Sequence, residues 1–125
     1  MLARVLMVGL GGFVGASLRY LVGGLVHRWA PPTFPYGTFL VNVSGCFLIG
    51  VLATLAEERA LGPMARLFWM VGVLGGFTTF STFGYETVAL IREGSLTAGW
   101  LNVIGQVTVG LAAVWAGTVL GRSLP

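Results

Sequence analysis

The stretch "GGFTTFSTFGYE", residues 75–86, lies inside a long apolar run but does not have the composition of one. Residues 75–83 hold two glycines, four hydroxyl side chains and three phenylalanines, and Glu86 follows. A helix crossing lipid is built mostly of Leu, Val and Ile. Gly75 and Gly76 each weaken a helix by roughly 1 kcal/mol relative to Ala. Thr78, Thr79, Ser81 and Thr82 offer the backbone competing hydrogen bonds. The apolar run extends over about residues 67–91, which puts its centre at Thr79. This density of small and polar residues at mid-membrane depth predicts a broken helix. Non-helical backbone at that depth has to be buried in protein or line a wet cavity. The plainer reading is that the glycines pack and each hydroxyl bonds back to its own helix.

The rest of the chain supplies the lipid setting. Of 125 residues, 56% are hydrophobic and 9% charged; ordinary soluble domains are about 25% charged. Mean hydropathy is +0.91. So few charges cannot cover a water-facing surface. Stretches of about 20 apolar residues read as membrane spans. Four are expected, at about residues 2–25, 36–55, 67–91 and 98–120, which makes residues 1–125 one all-α membrane domain. The first continues past the length of a signal-peptide core, and its "GASLRY" ends in Arg19 and Tyr20, not a cleavage site, so it reads as a retained helix. The connectors "HRWAPPTFP", "AEERALGPMAR" and "REGSLTAG" carry the prolines, glycines and charges. Tyr20, Trp29, Tyr36, Trp69 and Trp100 fall near span ends, as an aromatic belt does. Gly11 and Gly15, Gly72 and Gly76, and Gly117 and Gly121 are spaced four apart, the pattern that lets helix backbones approach in lipid.

The net charge of +3 is all arginine, with no lysine. The arginines are scattered singly, so no nucleic-acid patch exists. Arg4, Arg59, Arg66 and Arg122 fall on one side of the membrane. Arg28 and Arg92 fall on the other, with Arg19 read at the end of its helix. Arginine and lysine bias sets topology, and four against two or three is a weak bias. A partner or folding can fix one orientation. The sharper expectation is insertion both ways, with two antiparallel copies paired about an axis in the membrane plane. That symmetry occurs within single chains of many transporters. The lone Cys46 cannot form an intrachain disulfide and reads as a small buried hydrophobe.

Antiparallel copies crossing at mid-membrane bring both breaks onto the axis. Four inward carbonyls there can hold one small cation. Phe80 and Phe83, three apart, share a helix face. A phenyl ring is positive at its edge, so two rings turned edge-on can line a dehydrated path for an anion; packing is the commoner role. Thr79, Thr82 and Glu86 form a polar stripe. An ionisable residue near the end of a span is a functional suspect, and pairing with an arginine is its plain alternative. In the second span, Asn42 either bridges helices or gives an anion a donor; Thr38 lies one turn earlier and Ser44 nearby.

Three motifs, "GGFVGASLRY" (residues 11–20), "YGTFLVNVSGCFLIG" (residues 36–50) and "GGFTTFSTFGYE", occur in this order in a chain of this length with four spans. Together they resemble the CrcB/Fluc family of fluoride channels. The third motif is the specific one. The resemblance implies a dual-topology antiparallel homodimer in a bacterial or archaeal cell inner membrane. It implies two pores that export fluoride passively and one central structural sodium ion (Na+) that is not transported. Gly75 and Thr78 would give backbone carbonyls to that sodium. Asn42, Phe80 and Phe83 would line the pore, with a hydroxyl from Ser81 or Thr82. Arg19 matches the arginine that closes the first motif. The fourth span departs from the family: Asn102 and Gln106 stand where a Tyr and a Ser four residues apart are usual, so amides would replace hydroxyls in a polar track. His27 matches nothing in the family and reads as an interfacial loop residue.

The main rival is a small four-helix proton-coupled drug exporter. Such proteins resemble one another in a glutamate within the first span, and residues 1–25 here hold no acidic residue. A non-conducting assembly subunit would need no polar centre in the third span. An enzyme is not expected, because no nucleophile–base pair or metal-ligand cluster is present.

Overall fold

A computed structural model describes residues 1–59 and 61–124. Among them there are helices and no strands. Helix α1 is Leu2–Trp29 and α2 is Tyr36–Glu58. The third span, Pro63–Arg92, is assembled from pieces. These are α3 (Pro63–Arg66), a π-helical stretch (Leu67–Leu74), α4 (Gly75–Phe77) and α5 (Phe80–Arg92). Helix α6 is Leu96–Ser123. Four spans are thus long and apolar enough to cross a membrane. The large apolar residues left exposed along them, among them Phe13, Leu21, Leu111 and Trp115, are what a lipid-facing surface requires.

Small residues set the packing. The α-carbons of Gly11 and Gly72 lie so close that a methyl group on Gly11 would come within 2.9 Å of Gly72 Cα. Gly15 abuts Val73 and Phe77, and Gly76 abuts Gly12, so α1 lies directly on the first half of the third span. The α2–α6 seam is the most extensive in the fold. It is made the same way, with Gly50 against Val114 and Thr118, and Gly117 against Phe47. All three four-residue glycine pairs are therefore used in contacts. Without a hydrophobic force between helices in lipid, close backbone approach supplies the dispersion that holds them.

Two residues sit differently from the sequence expectation. His27 lies in the last turn of α1, not in a loop, because α1 runs on to Trp29 before the prolines stop it. For the same reason Arg19 is ten residues from the end of α1, inside the span.

Candidate functional site

The helix breaks at Thr78 and Thr79. Both are extended, with φ/ψ of −80°/157° and −149°/107°. Side chains take the N–H groups that would otherwise continue the ladder. Thr79 N–H donates to Asn42 Oδ1 at 2.8 Å, and Thr82 N–H donates to Thr79 Oγ1 at 3.3 Å. Thr79 thereby acts as the N-cap of α5, the usual work of a threonine at a helix start. In a continuous helix those two N–H groups would bond the carbonyls of Gly75 and Thr78, four residues back. The diversion leaves these two carbonyls without their helical donors. Hard carbonyl oxygens freed in this way at an unwound point are the kind that coordinate small cations, so Gly75 and Thr78 fit a sodium ion as donors. The hydroxyl of Thr78 is already spent on Leu74 O at 3.0 Å, which leaves that residue only its carbonyl.

Asn42 clamps the break from α2. Besides accepting from Thr79 N–H, its Nδ2 donates to Thr79 O at 3.1 Å and to Gln106 Oε1 at 2.7 Å. Both amide hydrogens are engaged, so Asn42 bridges three elements. Ser44 bonds back to Val41 O at 3.0 Å and takes no part.

Two cavities share Thr79 as a wall. One, of about 330 Å³, is lined by ionisable and hydroxyl side chains: Arg19 and His27 from α1, Thr38 from α2, and Thr82 and Glu86 from α5. The Thr79–Thr82–Glu86 stripe faces it along its whole length. Thr38 Oγ1 donates to Glu86 Oε1 at 2.8 Å. Glu86 Oε2 and Arg19 Nε are buried and have no partner among the described residues. The expected alternative of a Glu86–arginine ion pair is not what this geometry holds. Thr79 Oγ1 donates to Thr82 Oγ1 at 2.9 Å, so the proton of Thr82 is left for whatever enters.

The other cavity, of about 380 Å³, has no charged residue on its wall. Phe80 and Phe83 line it, with ring centroids 5.4 Å apart and planes tilted by 47°. Phe83 is 9% exposed and Phe80 is 83% exposed, so one ring is packed and the other stands free on the protomer surface. Asn42, Gln106, Gly75 and Thr78 complete the polar part of the wall. Ser81 is exposed beside Phe80 and reaches Thr79 Oγ1 only at 3.5 Å. Sequence reasoning had no place for Thr87, which is buried and accepts from Asn102 Nδ2 at 2.9 Å. Its position eight residues after Thr79 puts it at the edge of the same stripe, and that spacing was the available signal.

These features define a multi-pass helical membrane protein whose broken third span separates a charged mouth from an uncharged, phenylalanine-walled cavity. The model of the family described as CrcB-like protein, Camphor Resistance (CrcB), matches residues 6–118. A Solibacter usitatus protein named fluoride-specific ion channel FluC is 49% identical over 95% of this chain and 98% of its own length. Proteins of the same name from Anaeromyxobacter dehalogenans and Agrobacterium fabrum are 46% and 44% identical, over 98% and 97% of this chain and 98% of each relative. The chain belongs to the CrcB-like family and is a multi-pass protein of the cell membrane.

Proposed function

We propose that this protein is a fluoride-selective channel that lets fluoride leave the cell passively. The names of its relatives support this. The observation that carries it is the uncharged cavity lined by Phe80 and Phe83, adjoining a mouth that holds Arg19, Glu86 and the free hydroxyl proton of Thr82. Arg19 attracts anions to the mouth, and Glu86 on the same wall opposes it. Thr82 offers its hydroxyl proton to an ion shedding water, whereas the protons of Thr38 and Thr79 are already given to Glu86 and Thr82. Ring edges and amide hydrogens then favour a small anion where a cation finds little. An anion takes a hydrogen bond from Asn42 only by displacing Gln106 or the carbonyl of Thr79. Ser81 offers a further hydroxyl once a neighbour covers it.

The working unit of this reading is an antiparallel homodimer. Phe80 stands exposed and Gly75 is exposed at the break, so a second copy would complete the wall. The near-even arginine distribution supports insertion both ways. A sodium ion held by the Gly75 and Thr78 carbonyls of both copies would supply fixed positive charge beside the path. The work is conduction, not catalysis. Currents across a planar bilayer containing the purified protein test the proposal. They are expected to reverse at the fluoride equilibrium potential whatever the proton gradient. Reversal that follows the proton gradient would favour a coupled exporter.

A further inference from the structure

The polar side chains joining α2, α5 and α6 form one hydrogen-bonded relay with a single direction. Thr79 N–H donates to Asn42 Oδ1 at 2.8 Å, and Asn42 Nδ2 donates to Gln106 Oε1 at 2.7 Å. Gln106 Nε2 donates to Asn102 Oδ1 at 3.0 Å, and Asn102 Nδ2 donates to Thr87 Oγ1 at 2.9 Å. Thr87 ends the series by donating to Phe83 O at 2.8 Å. Each amide accepts on its oxygen and donates from its nitrogen, so the orientation of one dictates the next. Thr87 has one proton, and it is committed to the main chain one turn back. Its oxygen can therefore only accept from Asn102, which fixes which end of that amide faces which way. Asn102 is 0% exposed, so a flip would set its NH2 against that of Gln106 with no water to relieve it.

The far end of this relay is at the cavity. An amide nitrogen carries two hydrogens. Both of those on Asn42 are engaged, whereas Gln106, which lines the cavity with Phe80 and Phe83, uses one and has a second to give. Thr87 and Asn102 line neither cavity. We propose that Thr87 and Asn102 are positioning residues: they orient Gln106 so that its second amide hydrogen is the donor offered to the anion at the phenylalanines. This rests on the reading of that cavity as a fluoride path. It also explains physically how amides can stand in the fourth span. An amide, unlike a hydroxyl, has two distinct ends, and Thr87 through Asn102 holds this one from the side opposite Asn42.

Gln106 is the only glutamine in the chain, so labelling glutamine side chains with nitrogen-15 gives a single NH2 pair to observe. In the wild-type protein one hydrogen of that pair is expected to exchange slowly and the other to shift as sodium fluoride is added. Thr87→Val keeps the shape and removes the hydroxyl; it is expected to move both resonances and to lower fluoride efflux from vesicles by about threefold to tenfold, the weight of one hydrogen bond. Thr87→Ser keeps the hydroxyl and is expected to match wild type in both. Wild-type efflux in Thr87→Val, a loss as large in Thr87→Ser, or a fluoride-conducting wild type whose Gln106 pair ignores fluoride would each overturn the proposal. The wild-type measurement needs no variant to fold. If the wild type carries no fluoride, the functional reading falls, and with it the donor role of Gln106. The orienting role of Thr87 is then decided by the spectrum alone: an unmoved Gln106 pair in Thr87→Val overturns that too.

Discussion

Asn42 holds both main-chain polar groups of Thr79, accepting from its N–H at 2.8 Å and donating to its carbonyl at 3.1 Å. A side-chain amide here takes the place that a neighbouring peptide would have in a ladder. This is what lets the third span come apart without leaving either main-chain group of Thr79 orphaned, since each would cost several kcal/mol in lipid.

Asn42→Ala removes that clamp and leaves the buried Thr79 with two unpaired groups. A loss of about 1–3 kcal/mol in stability is expected for each unsatisfied group, read by thermal unfolding in detergent. Unchanged stability would mean that Thr79 finds other partners and that the clamp is incidental.

The two phenylalanines separate packing from conduction. Hydrophobic swaps of similar volume cost under about 1.5 kcal/mol. Phe83→Met should therefore fold with a small penalty, and Phe80→Met, on an exposed ring, with less. Methionine lacks the positive ring edge, so fluoride efflux is expected to fall clearly in at least one of the two. Wild-type efflux in both would return these rings to ordinary packing.

The freed carbonyls make a cation testable. Sodium should raise the unfolding temperature relative to a large organic cation, by an amount that follows binding to the folded state alone, about 2.7 kcal/mol at a hundredfold excess over Kd. Thr78→Ala should keep the effect, because the donor is backbone. A methyl group on Gly75 has no neighbour within the protomer nearer than Met70 O at 3.9 Å. Gly75→Leu should thus leave the protomer folded and disturb what meets it across the break, lowering both dimer fraction and sodium stabilisation. Stability that ignores sodium in the wild type would remove the ion from the account.

Orientation can be read directly. Arg28 is exposed in the last turn of α1. Arg28→Cys, in a Cys46→Ser background, should label with an impermeant thiol reagent from both faces of the membrane. Labelling from one face only would end the antiparallel reading.

The four spans were legible because a chain with so few charges has only one solvent open to it. The break was legible at Thr79 because glycine and threonine weaken a helix wherever they cluster. Three things were not. The π-helical stretch at Leu67–Leu74, which lies against Gly11 and Gly15 of α1, has an ordinary apolar sequence with nothing in it that marks a wider turn. The bridging of Asn42 was open in the sequence because an amide at mid-span serves as donor or as brace, and only its distance to Thr79 and Gln106 separates the two. Thr87 carried no signal beyond its spacing. A threonine in a helix most often bonds its own backbone, which this one also does, and its tie to Asn102 depends on α6 lying beside α5.

The most direct test is ion efflux from vesicles containing this protein alone, loaded with equal fluoride and chloride and followed with an electrode for each ion. Fluoride should leave rapidly down its gradient and chloride should stay, with no requirement for a proton gradient. Equal efflux of both ions, or retention of both, would contradict the account.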